Sequence, residues 1–144
     1  FARPGHRGRH NQRHWDHSNY LGVGPSAHSF WWTDDGATRW ANVANLRRYI
    51  ALVDQHHAPI AAKDTLSDLE LAREYVMLRL RTADGLDLGT LQARYGTNLR
   101  AHKADALDRL RAGGYLDCPT PSRIRLTEDG LRHSDAITAR LLPD

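Results

Sequence analysis

Five of the nine histidines (His6, His10, His14, His17 and His28) and all four tryptophans (Trp15, Trp31, Trp32 and Trp40) fall within the first 40 of 144 residues. Imidazole can act as a general base, a zinc ligand or an axial ligand to haem iron, so this block is where chemistry is expected first. His6, His10 and His14 recur every four residues, a spacing that on a helix would align three ligands. Pro4, Gly5 and Gly8 argue against a helix there, and no Asp or Glu precedes Asp16, so a zinc hydrolase would lack a nearby base. The plain alternative is a loop whose histidines bond to backbone. Taken together, an imidazole ligand, the flat face of Trp15 and the cations Arg3, Arg7, Arg9 and Arg13 suit a flat apolar molecule carrying carboxylates.

A second candidate is Gly22-Val23-Gly24-Pro25-Ser26. It is not a dinucleotide fingerprint, and a strand-ending turn explains it. The functional reading is that missing Cβ atoms let a ligand approach the backbone at the end of a barrel strand. The single cysteine, Cys118, excludes a disulfide framework, a multi-thiolate zinc site and a self-contained iron–sulfur cluster, and it is read as an ordinary strand-end thiol.

The elements that must position these residues follow from pattern. Phe1–Asn19 reads as loop and Tyr20–Gly24 as a short buried strand. Phe30–Thr33 and Thr38–Val43 flank Asp34-Asp35-Gly36, a hairpin signal, and a helix follows over Leu46–Gln55. Beyond a break at His56–Pro59 the chain turns helical. Ser67-x-x-Glu70 reads as a capping box for a helix burying Leu69, Ala72, Val76 and Leu80. A helix over Leu88–Tyr95 ends at Gly96, and Thr97 or Asn98 caps the next, which runs with Leu99, Ala106 and Leu110 inward to Gly113. Strands at Tyr115–Cys118 and Arg123–Leu126 precede a final helix capped by Thr127, with Arg140 near its end. That order is a winged-helix arrangement. With 40% hydrophobic and 26% charged residues the composition is that of a globular chain, with no apolar run near the ~20 residues of a membrane-spanning helix. Phe1-Ala2-Arg3-Pro4-Gly5 is no signal peptide, and a start at Phe1 reads as a fragment of a cytoplasmic protein.

Phe1-Ala2-Arg3-Pro4-Gly5-His6, His10-Asn11-Gln12-Arg13-His14-Trp15 and Tyr20-Leu21-Gly22-Val23-Gly24-Pro25-Ser26-Ala27-His28-Ser29 together resemble the C-terminal part of the HemW family. These are radical SAM haem chaperones, often labelled oxygen-independent coproporphyrinogen III oxidase-like. The likeness continues through Arg39-Trp40-x-Asn42, Glu74–Arg81, Gly85-Leu86-Asp87-Leu88, Leu126-Thr127-x-x-Gly130 and Asp135-Ala136-Ile137. It implies an α+β chain: the terminal strands of an incomplete TIM-like barrel over 1–43, a connecting helix and linker over 44–63, and a winged-helix-like domain over 64–144. It also implies haem as cargo, and S-adenosylmethionine with a [4Fe-4S] cluster in a parent protein. No Cys-x-x-x-Cys-x-x-Cys occurs here to hold that cluster, so this chain alone is not expected to be an enzyme.

The family's haem motif, His-Asn-x-x-Tyr-Trp, is matched by His10, Asn11, His14 and Trp15, with His14 in place of the tyrosine. The resemblance makes His10 the iron ligand and His14 a second candidate. It places Gly24, Ala27 and His28 near S-adenosylmethionine, and implies delivery of haem to membrane respiratory enzymes. An oxygen-independent coproporphyrinogen III oxidase is the close alternative. A nucleic-acid-binding winged helix is the alternative of another class: Arg100, Lys103, Arg109, Arg111, Arg123 and Arg125 could meet phosphates, but Asp105 and Asp108 share the helix, and no nucleic-acid partner is expected.

Overall fold

Aromatic and β-branched residues favour an extended chain, and His28-Ser29-Phe30-Trp31-Trp32-Thr33 forms strand β1 (His28–Thr33), paired antiparallel with β2 (Gly36–Asn42). The computed structural model describes residues 17–33 and 36–144, so the expected turn at Asp34-Asp35 lies outside the described residues. The chain divides into two compact units, Phe1–Ser67 and Asp68–Asp144.

In the first unit, β3 (Ile60–Leu66) completes a sheet of order β1-β2-β3, with Arg39 opposite Asp64 and Trp40 opposite Lys63. The sequence reads this stretch largely as linker. Ala61-Ala62-Lys63-Asp64 has little strand preference of its own, and the ladder offered by β2 overrides it. Helix α1 (Leu46–Asp54) is capped by Asn45, whose Oδ1 accepts the Arg48 N–H at 3.0 Å. Its Leu46, Ile50 and Val53 remain exposed. The unit's core centres on Phe30, whose ring stacks on His17 (5.4 Å) and Tyr20 (6.2 Å) and meets Trp32 edge-on (5.8 Å).

Tyr20–Gly24 is not the buried strand the sequence suggests. Only Tyr20 pairs, as an isolated bridge to Phe30, while Leu21 and Val23 are 65% and 82% exposed.

The second unit opens with α2 (Asp68–Leu80), whose first turn carries Asp68 and Glu70 where the helix dipole favours them. Its buried stripe is Leu71, Ala72, Tyr75, Val76 and Leu80, and Leu69 stands exposed. Then follow β4 (Leu86–Asp87), α3 (Leu88–Tyr95), α4 (Leu99–His102), α5 (Ala104–Ala112), β5 (Leu116–Thr120), β6 (Arg123–Leu126), α6 (Glu128–Arg132) and α7 (Ser134–Leu141). The three strands form an antiparallel sheet of order β4-β6-β5. Pro119 is tolerated in β5 because that strand is an edge. Gly96 ends α3 with φ 65°, Asn98 caps α4 and Thr127 caps α6, as the local chemistry requires.

Two helices expected to be continuous are broken. At Lys103 the backbone leaves helical values (φ −128°), and its ammonium meets both carboxylate oxygens of Asp144 at 2.9 Å. At His133 (φ −114°) the ring meets Tyr115 edge-on at 5.7 Å. The architecture is mixed α+β with antiparallel sheets.

Candidate functional site

The first unit's candidate residues gather on the segment that runs back along β1. Gly22 cannot carry a side chain, since a Cβ would sit 2.2 Å from the His28 carbonyl oxygen. Beyond the Tyr20–Phe30 bridge the segment is held by side chains. The Gly22 N–H donates to Ser29 Oγ at 3.0 Å, and the Gly24 N–H donates to Tyr49 Oη at 3.1 Å. Asn42 Nδ2 donates to both the Gly22 and Gly24 carbonyls, at 3.2 and 2.9 Å. Ser29 and Asn42 are buried, where an unpaired polar group would be costly, so these bonds are what make their presence tolerable.

Gly24 to Ala27 then forms a tight turn, the Ala27 N–H donating to the Gly24 carbonyl at 3.3 Å. Pro25 and Ser26 occupy its centre, and Ser26 takes φ 58° where glycine is usual, a strained residue held by its N–H bond to the Val43 carbonyl. Gly24 itself has φ 106°, with nothing within 4 Å of where a Cβ would stand. The Ala27 carbonyl accepts the Asn42 N–H at 2.9 Å, and His28 is exposed at the head of β1. Gly24 and Ala27 therefore close one hydrogen-bonded turn, with His28 directly after it and open space beside Gly24.

His10, Asn11, His14 and Trp15 lie outside the described residues, as do His6 and the other residues of the opening loop. The chain enters the described part at His17, which is buried with φ 48°. Its carbonyl accepts the indole N–H of Trp32 at 2.7 Å, and the Trp32 backbone N–H donates to Asn19 Oδ1 at 2.8 Å. The guanidinium of Arg39 lies 6.0 Å over the Phe30 ring, so the aromatic cluster carries a cation on one face. Sequence reasoning missed Ser29, Tyr49 and Trp32 as supports. The motif Arg39-Trp40-x-Asn42 gives Asn42 no role by itself.

In the second unit, Asp87 is held below the usual carboxylate range by the backbone N–H of Thr90 and by Arg123. A shallow groove over Leu107, Leu116 and Ile124 is edged by Arg100, Asp108, Arg111 and Cys118. Among the described residues no three or more His, Cys, Asp or Glu side chains are placed to hold a metal ion. No described helix is long and apolar enough to cross a membrane.

Residues 66–133 match the HemN C-terminal domain family. Over 99% of its length it is 33% identical to a heme chaperone HemW of Mycobacterium tuberculosis, and over 90% it is 28% identical to a heme chaperone HemW of Bacillus subtilis. The chain spans about a third (33%) of the length of each of these relatives. Among solved structures it resembles the coproporphyrinogen III oxidase HemN of Escherichia coli, described as a radical SAM enzyme. The TM-score is 0.60 at 21% identity, over 87% of this chain and 28% of that one, a likeness of fold.

Proposed function

We propose that this chain does the work of the corresponding third of a HemW-like radical SAM haem chaperone, binding haem as cargo through His10 and yielding it to respiratory enzymes at the membrane from the cytoplasmic side. The observation that carries this reading is the relationship to heme chaperones over 99% of the chain, including the segment that holds His10, Asn11, His14 and Trp15. A neutral imidazole suits haem iron, and the arginines around the motif suit propionates. Gly24, Ala27 and His28 fit a place beside S-adenosylmethionine, because the turn is tied down by Asn42 and open at Gly24. A [4Fe-4S] cluster does not fit this chain's residues: Cys118 is its one cysteine, so the cluster's thiolates would come from other polypeptide.

Coproporphyrinogen III oxidase has less behind it, since that name belongs to a neighbour alike in fold. The helices followed by β5, β6 and α6 favour a winged-helix reading of the second unit, used for packing rather than for nucleic acid. Arg100 is spent on the Pro121 carbonyl, Lys103 on Asp144, Arg123 on Asp87 and Arg125 on Asp117, which leaves few cations for phosphates. A haemin titration of wild type and His10→Ala tests the haem reading. The expected result is a saturable Soret shift in wild type that His10→Ala loses. Equal shifts and affinities would remove His10 from the role and pass it to His14→Ala as the next variant.

A further inference from the structure

Lys103 stands where the helical pattern should continue and does not. Its backbone (φ −128°) separates α4 from α5, and no side chain caps α5 there. At this break the lysine side chain is only 16% exposed, and its ammonium meets both carboxylate oxygens of Asp144 at 2.9 Å. An ammonium held so far from water needs an anionic partner. The partner it has is itself open to solvent, the Asp144 side chain being 91% exposed. The firm residue of that segment is the preceding one. Pro143 is buried, and its carbonyl accepts Arg73 Nε of α2 at 2.9 Å.

Lys103 above all, with Arg73 and His102 beside it, holds the Asp144 carboxyl below the usual carboxylate range. The charges do not balance, because one carboxylate faces two fixed cations and an imidazole. Among the described residues neither the Arg73 Nη groups nor the His102 ring has a hydrogen-bond partner.

We propose that Arg73, His102 and Lys103 form a docking notch for an acidic segment of a partner polypeptide, and that Asp144 fills the notch while the partner is away. The group seated there is a side-chain carboxylate on a polypeptide, which is the chemistry the notch is built to take. A segment with two neighbouring carboxylates complements it better than Asp144 does, since the second pairs with the guanidinium that Asp144 leaves unpaired. Exchange is cheap for Lys103, which trades one carboxylate for another and is never left desolvated and alone. Asp144 gives way by turning its own exposed side chain, while Pro143 stays seated. The notch lies wholly in the second unit and is independent of the haem reading.

The test is an amide NMR titration of the full chain with the peptide acetyl-Gly-Asp-Glu-Gly-amide, the neutral acetyl-Gly-Asn-Gln-Gly-amide serving as control. Wild type, Asp144→Asn, Lys103→Met and Arg73→Gln are compared. The expected result is saturable shifts at residues 73, 102 and 103 with the acidic peptide alone. Its affinity should be about ten-fold higher in Asp144→Asn, which removes a competitor tethered at millimolar effective concentration. Lys103→Met should abolish binding. Arg73 is exposed, so Arg73→Gln carries the test if Lys103→Met fails to fold, with about a five-fold loss expected. Equal affinities in wild type and Asp144→Asn overturn the role of Asp144 as occupant. Absence of shifts in Asp144→Asn, or equal shifts with the neutral peptide, overturns the notch itself. Shifts with inorganic phosphate but not with the acidic peptide overturn the polypeptide partner.

Discussion

Asp87 and Arg123 stand opposite each other in the register of β4 and β6, and their side chains meet at 3.0 Å. The same carboxylate caps α3, its Oδ1 accepting the Thr90 N–H at 2.9 Å. One acidic group therefore ties the short strand β4 to both the sheet and the following helix. The Thr90 bond first, and Arg123 with it, lower its pKa below the ordinary 3.8.

A depressed folded-state pKa gives stability that is present above the unfolded value and is lost as pH falls through the folded one. Asp87→Asn keeps a capping oxygen and removes the charge, so it should flatten the acid limb of the second unit's stability curve below about pH 4. Asp87→Ala should cost about 1 kcal/mol more than Asp87→Asn at neutral pH, through loss of the cap. Urea midpoints of the three proteins across acid pH check both statements; parallel acid limbs in wild type and Asp87→Asn would assign the acid sensitivity elsewhere.

Gly130 lies against the residue that leads into β5 so tightly that a Cβ would be 2.1 Å from the Tyr115 carbonyl oxygen. Backbone cannot yield as a side-chain tip can. Gly130→Ala is therefore expected to destabilise the second unit by about 2 kcal/mol or more. Gly96→Ala, at φ 65° with nothing within 4 Å, meets only the left-handed penalty and should cost roughly 1–2 kcal/mol. Thermal unfolding of the pair ranks them, and a milder effect at Gly130 would contradict the close approach.

Asn42 offers two donors to two carbonyls, so the isosteric Asn42→Asp replaces attraction by repulsion at both. A loss of about 2–3 kcal/mol in the first unit is expected, as for a buried polar network stripped of a partner. Amide hydrogen exchange should locate it. Gly22 and Gly24 should lose protection before Phe30 does. Uniform loss across β1 and β2 would mean that Asn42 supports the whole sheet rather than the turn.

Local chemistry was legible in the sequence and remote support was not. Gly96 and Thr127 announce helix ends because capping depends on a residue and its near neighbours, the choice between Thr97 and Asn98 falls to Asn98, and Arg123–Leu126 emerges as a strand with the bounds expected. The α2 stripe was read out of phase at Leu69 because Leu71 and Tyr75 match a helical period equally well. Tyr20–Gly24 misled for a deeper reason: its bonds come from Ser29, Asn42 and Tyr49, residues that no periodicity connects to it. Gly24, Ala27 and His28 are singled out by the resemblance to the HemW family, but the strain at Ser26 and the tethers of Trp32 exist only once the chain is folded.

The outer edge of β3 bears on how copies of the chain treat one another. Its residues are exposed but for half-buried Leu66, and β2 is its one partner among the described strands. Open edges invite identical strands to add on, the first step of aggregation. Antiparallel partners pair in matching phase, so the two most central self-pairings set Lys63 against Lys63 or Asp64 against Asp64, like charges face to face. The strand that looks least designed from its sequence thus discourages its own polymerisation while leaving its backbone open to a different strand.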